Sequence, residues 1–219
     1  MSTPTSNTLP AEGRTSAEMW FDPVCPWAWM TSRWLMEAQQ VRDLDVTWSV
    51  MSLSVLNEGR DLDEGYRAML DRAWGPVRVI IAAAAAHPGD DGGNSTRKAL
   101  YDAIGRRIHN EGRGTEDLPT IIGEALQEVG LPAELAAAAD ADEHDTDLRA
   151  SHQRAIDLVG DDVGTPVVSV NGVSFFGPVI TPAPKGEAAG RLWDGCVLVA
   201  GTPGFYELKR TRNASPDFS

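Results

Sequence analysis

The chain has 219 residues, 42% of them hydrophobic and 23% charged, with a formal net charge of −13. That is room for one elaborated domain or two small ones with a sizeable core, at an ordinary globular composition. The acidic balance argues against a nucleic-acid or anionic-membrane surface, which needs a clustered basic face, and no run approaches the roughly 20 apolar residues of a membrane span.

Met1 to Thr15 is polar, with Ser, Pro and Gly and with neither the basic n-region nor the apolar h-region of a signal peptide; it reads as a disordered lead-in. Ala17 to Phe21 reads as a short buried strand. The run Asp22-Pro23-Val24-Cys25-Pro26-Trp27-Ala28-Trp29 follows. Pro26 fits the first turn of a helix, where its missing N–H costs nothing. Trp27, Met30, Trp34, Ala38 and Val41 recur at spacings of three and four and make one apolar stripe. Val46, Trp48 and Val50 alternate with polar residues as a strand does. The first fifty residues therefore read β-α-β, and a single-helix crossover makes the two strands parallel.

From Leu62 to Val159 the chain is rich in Ala, Glu, Asp, Arg and Leu, broken at Pro88 to Asn94, Glu111 to Gly114, Gly130-Leu131-Pro132 and Gly160. This predicts a helical block of about five helices, with Ser95 and Thr115 as N-caps and Gly130 and Gly160 at C′ positions. Val167 to Val170, Asn171-Gly172 and Val173 to Phe176 form a hairpin signal, since Asn-Gly supplies the positive φ values of a type I′ turn. Glu187 to Ala200 is helix-like, and Phe205 to Arg212 is read as a last short helix. The order β-α-β, helical block, β-β-α describes an α/β thioredoxin-like fold with a large α-helical insertion. The expected organisation is a lead-in (1–15), a thioredoxin-like domain (16–60 plus 160–219) and an inserted helical subdomain (61–159).

Chemistry centres on Cys25, placed at a strand-to-helix turn where free backbone N–H groups and the helix dipole favour thiolate over thiol. The bland alternative is a buried packing cysteine. Ala28 stands where a Cys-Pro-Trp-Cys motif would carry its second cysteine, so the site reads as half of a dithiol centre. Cys196, flanked by Val197 and Leu198, reads as a packing residue, the sharper alternative being a distant resolving cysteine. With only these two cysteines no disulfide framework is expected, and the compartment is read as reducing and cytoplasmic. His87, His109, His144 and His152 lack metal-ligand spacing with either cysteine, and the glycines form no dinucleotide fingerprint. Neither a metal nor a tightly bound cofactor is expected. Trp27, Trp29, Trp74 and Tyr66 either line an aromatic pocket or pack in the core. The basic Lys209-Arg210-Thr211-Arg212 is either a solvated helix end or a contact for the carboxylate of an anionic thiol ligand.

Several stretches together carry a resemblance: Cys25-Pro26-Trp27, Thr31-Ser32-Arg33-Trp34, Met51-Ser52-Leu53, Arg72 to Arg78, Arg107-Ile108-His109-Asn110, Gly164-Thr165-Pro166, Asn171-Gly172-Val173, Phe175 to Pro178 and Leu208 to Arg212. They resemble the actinobacterial DsbA-like thioredoxin-fold proteins of the mycothiol-dependent nitroreductase group. The resemblance implies a cytosolic thiol-dependent oxidoreductase with catalytic Cys25, Pro26 and Trp27. Thr165 would precede a cis-Pro166 and face the cysteine, and Trp29, Tyr66, Trp74, His109 and Asn110 are the further substrate-binding candidates. It implies mycothiol as cosubstrate, a disulfide or nitroaromatic substrate and a glutaredoxin-like (mycoredoxin) partner; the sequence does not name the oligomeric state, a homodimer being one option. Members of that group carry cysteine where this chain has Ala28, so release of Cys25 would need another molecule. Two other readings stand beside this one. One is a mycothiol S-transferase or isomerase of the kappa-class glutathione transferase type, which shares the inserted-helix architecture. The other is a non-enzymatic redox sensor or thiol-trapping chaperone.

Overall fold

The computed structural model describes residues 14–219. Strand β1 is Thr15–Phe21, and β2, Leu44–Val50, pairs parallel to it from Thr15 opposite Leu44 through Phe21 opposite Val50. Thr15 is thus a strand residue, not the end of the lead-in: its N–H donates to the Asp43 carbonyl at 2.9 Å. The remainder of that expected lead-in, up to residue 13, lies outside the described residues.

Between the two strands runs α1, Pro26–Gln39. Met30, Trp34 and Ala38 of the expected stripe are buried, but so are Ala28, Trp29, Thr31, Ser32 and Leu35, so the helix is covered on more than one face. The hairpin β3, Val167–Val170, and β4, Val173–Phe176, completes a sheet of order β2-β1-β3-β4, with β3 antiparallel to both β1 and β4. Asn171 (φ 50°) and Gly172 (φ 87°) make the turn, as their sequence predicts.

Four α-helices, not five, lie between β2 and β3 after the short α2, Leu53–Leu56. They are α3 (Glu64–Ala86), α4 (Asn94–Gly105), α5 (Leu118–Glu128) and α6 (Asp145–Val159). The fifth segment, Ala133–Asp140, winds as a 3-10 helix. The expected caps shift as well. Gly93 precedes α4, and Asp91 accepts the Ser95 N–H at 2.9 Å; Asp117, not Thr115, caps α5 by accepting the Thr120 N–H. In both places a carboxylate upstream reaches the free N–H groups better than a hydroxyl. Gly130 holds φ +71° after α5, as a C′ glycine should, whereas Gly160 is itself the cap of α6.

Helix α7, Glu187–Ala200, packs beside α1 on one face of the sheet, where Trp34 donates its indole N–H to the Ala189 carbonyl at 3.0 Å. Arg42 fastens the end of α1 to α7 by pairing with Glu187 and Asp194. On the opposite face Trp20, Met51 and Val167 pack with Ala155 of α6. Residues 205–212 form no helix: Tyr206 and Leu208 are exposed, so the segment has no apolar stripe buried against a partner to stabilise one. Among the described residues no helix is long and apolar enough to cross a membrane.

Candidate active site

The turn from β1 into α1 is built by Asp22. Its fully buried carboxylate accepts the Val24 N–H at 3.0 Å and the Leu53 N–H at 2.7 Å, joining the β1–α1 turn to the start of α2. Burial pushes this carboxyl up to about 6, against the two donors that stabilise its charge. The next turn of chain places Cys25 at the N-cap of α1 with Pro26 in the first turn.

The Cys25 sulfur accepts the Ala28 N–H at 3.5 Å, and its S–H donates to the Thr165 carbonyl at 3.4 Å. The Thr165–Pro166 peptide is cis. Cys25 is 5% exposed, and burial pushes its thiol up to about 12; the Asp22 charge adds to this, while the Ala28 N–H and Arg212 pull the other way. The helix-terminal N–H does point at the sulfur, but desolvation of an enclosed sulfur outweighs one donor. In this closed arrangement burial favours the thiol over the thiolate.

Trp27 and Tyr66, both partly exposed, flank the buried Cys25, and we call the side they mark the mouth of the site. The Arg212 guanidinium lies 5.3 Å from the centre of the Trp27 ring. Tyr66, in the first turn of α3 and 39% exposed, has its hydroxyl pushed up chiefly by burial, with the neighbouring acids Cys25 and Asp22 adding to this. Trp29 is buried in the core and also borders a cavity beside α1. Its ring lies between the Arg33 guanidinium at 3.9 Å and the His109 ring at 5.6 Å, with Tyr101 edge-on at 5.5 Å. Gly105 makes room for it, since a Cβ there would sit 2.4 Å from the indole.

After Gly105 the backbone winds as a π-helix over Arg106–Asn110, a form that recurs at functional sites. This turn carries His109 and Asn110 to the β1–α1 segment. His109 Nε2 lies 2.9 Å from the Pro23 carbonyl oxygen, so that nitrogen bears the proton; burial pushes the imidazole down to about 4 and keeps it neutral. Asn110 accepts the Trp29 indole N–H at 2.9 Å. Both side chains therefore brace the cysteine turn from behind. Trp74 sits two turns along α3 from Tyr66, about 12 Å at the helical rise, beneath the guanidinium groups of Arg78 and Arg149. No described contact brings it to Cys25.

Cys196 lies half-buried on α7, and both cysteines are free. Burial pushes the Cys196 thiol up to about 11. His152 accepts the Ser52 N–H at 3.3 Å, and His87 ends α3. Among the described residues no three His, Cys, Asp or Glu side chains gather as a metal-binding group. Sequence reasoning assigned no role to Asp22, although its place three residues before Cys25 and ahead of a proline is the signature of a side chain folding back on its own turn. Phe218 also went unassigned. It lines a cavity of about 340 Å³ beside α1 with Trp29, Met30, Arg33 and Asn110.

A sheet of this order, a cysteine heading its first helix and helices inserted before the hairpin define a thioredoxin-like protein of the DsbA type. Solved structures agree on that fold. Chlamydia trachomatis DsbA aligns with a TM-score of 0.52 at 9% identity, over 90% of this chain and 97% of its own. A candidate protein-disulfide isomerase of Pseudomonas syringae gives 0.52 at 18% identity, over 85% and 94%. The particular family follows from the sequence. Residues 24–210 match the Rv2466c-like family model, described as mycothiol-dependent nitroreductase Rv2466c, and the chain belongs to that family. It is also 32% identical over 201 residues, 91% of this chain and 83% of the relative, to the uncharacterized protein Rv2286c of Mycobacterium tuberculosis.

Proposed function

We propose that the chain is a monothiol oxidoreductase in which Cys25 forms mixed disulfides with a low-molecular-weight thiol or with substrate, mycothiol being the cosubstrate its family points to. The observation that carries this reading is the single sulfur at the head of α1, held between the Ala28 N–H and the carbonyl of Thr165. Catalysis begins when the mouth opens and water reaches that sulfur. Desolvation then lapses, the Ala28 N–H and Arg212 remain, and the thiolate fraction rises. The thiolate attacks one sulfur of a disulfide; the new S–S bond forms as the old one breaks, and the other half leaves as thiolate. A second small thiol, or a glutaredoxin-like protein, attacks the mixed disulfide and restores Cys25.

For a nitro acceptor the same sulfur works as a reductant. Cys25 and one mycothiol together yield two electrons and two protons, becoming a mixed disulfide as the nitro group loses one oxygen as water to become nitroso. Trp27 and Tyr66 offer flat faces for such an acceptor, and Thr165-Pro166 offers a backbone edge. Residues 16–60 with 160–219 act as the catalytic unit in this reading, and 61–159 cover it. Turnover of a mycothiol disulfide or nitroaromatic by wild type, lost in Cys25→Ser, is the test; equal turnover in the variant would overturn the reading.

One observation favours a second reading. A neutral Cys25 thiol that donates a hydrogen bond suits a transferase or isomerase that steadies an external thiol at this position. A serine hydroxyl could serve there as well, so transferase activity surviving Cys25→Ser while exchange disappears would select it.

A further inference from the structure

The family match ends at Arg210, and the residues after it cross the site. Arg212 lies over Trp27, two residues beyond Cys25, and its charge acts on the Cys25 sulfur. The other ionisable groups coupled to that sulfur are acids, Asp22, Tyr66 and Tyr101. Among the described residues Arg212 is thus a cation acting on the Cys25 sulfur, with Arg60 acting on Tyr66, in a chain of net charge −13.

Its position is held from downstream. The Asp217 N–H donates to Thr181 Oγ1 at 2.8 Å, and the Thr181 hydroxyl donates to the Ser215 carbonyl at 3.4 Å. Phe218 sets its ring, tilted, 5.3 Å from that of His109 and accepts the Asn110 side-chain N–H at 2.8 Å on its carbonyl. The tail is thus pinned both to the loop before α7 and to the π turn that braces Cys25.

We propose that Arg212 is a specificity-determining residue of the Cys25 site, favouring acceptor disulfides that carry a carboxylate near sulfur, and that the Phe218 anchor keeps it there. The proposal rests on Cys25 being the nucleophile. An incoming aromatic or amphipathic disulfide would lay its apolar part on Trp27 and its carboxylate on the guanidinium, a geometry suited to a planar fork. Cys25 thiolate then forms a bond to the near sulfur, and the far half departs as thiolate carrying its own carboxylate.

The experiment uses the full chain with Cys196→Ser, so that Cys25 alone reports. Second-order rates are measured at low salt with dithionitrobenzoate, a dianionic disulfide, and with dithiodipyridine, a neutral one. Any change in thiolate fraction moves both rates; charge selection moves their ratio. Arg212→Gln should lower the dianionic-to-neutral ratio by roughly three- to tenfold, and raised salt should bring wild type down to the variant. Arg212→Lys should restore most of the ratio, and Phe218→Ala should lower it in part by releasing the tail. A ratio unchanged in Arg212→Gln overturns the proposal and leaves Cys25 standing as nucleophile. Failure of Cys25 to react with either probe overturns both.

Discussion

The backbone N–H of Ala28 points at the sulfur of Cys25, 3.5 Å away, while the Ala28 methyl is fully buried. Position 28 therefore assists the thiolate without offering a second sulfur. A larger side chain there has to be accommodated within the core cluster.

Ala28→Cys follows directly. The variant should lose about 1 kcal/mol or more of stability in its reduced form, from one extra heavy atom in a packed site. It should also clear Cys25 mixed disulfides at least tenfold faster, because an internal thiol needs no encounter. Urea unfolding and the decay of a preformed Cys25 adduct check the two halves separately.

Alkylation of Cys25 should show the effect of burial. With the thiol pushed up to about 12, the rate with iodoacetamide should still be climbing between pH 8 and pH 10. A plateau reached below pH 7 would mean that the resting site is open and that the helix terminus governs the sulfur.

Gly105→Ala tests the brace behind the cysteine. Its Cβ would meet the Trp29 ring at 2.4 Å, and that ring is itself fixed by Arg33, Tyr101 and Asn110. A loss of about 1–3 kcal/mol is expected, with Cys25 alkylation accelerated as His109 is displaced from the Pro23 carbonyl. Denaturation midpoints and the alkylation rate together report it.

Acid should destabilise the fold through His109 and His152, both pushed down to about 4 chiefly by burial. A folded value below the ordinary one means full stability above about pH 6.5, lost as pH falls toward 4. Asp22, raised to about 6, works in the opposite sense: stability lost as pH rises through 6 is regained on acidification. Two histidines against one aspartate should leave a net fall in Tm from pH 6.5 to pH 4. His152→Gln should flatten part of that fall.

Much of the fold was legible because its signals are local. Val46, Trp48 and Val50 announce β2 by alternation, Asn171-Gly172 announces the hairpin, and Pro26 announces the start of α1. Cys25 and Thr165 could be named in advance because a turn and an X-Pro bond are written in adjacent residues. What stayed hidden depends on distant partners. The packing of Trp29 against Gly105 and His109 depends on residues far along the chain. Asp22 gains its role from Leu53, across β2. The segment at Phe205 to Arg212 has helix-forming residues but no surface to bury a stripe against. Arg212 and Phe218 acquire meaning only when the tail returns to Trp27 and His109.

The central claim is that Cys25 is the working sulfur and that no cysteine within the chain resolves it. Intact mass after incubation of the reduced protein with oxidised mycothiol tests this most directly. One adduct, mapped to Cys25, absent in Cys25→Ser and persistent until fresh thiol is added, is the predicted result. A protein that gains no adduct, or that loses two hydrogens in a Cys25–Cys196 disulfide, would contradict it.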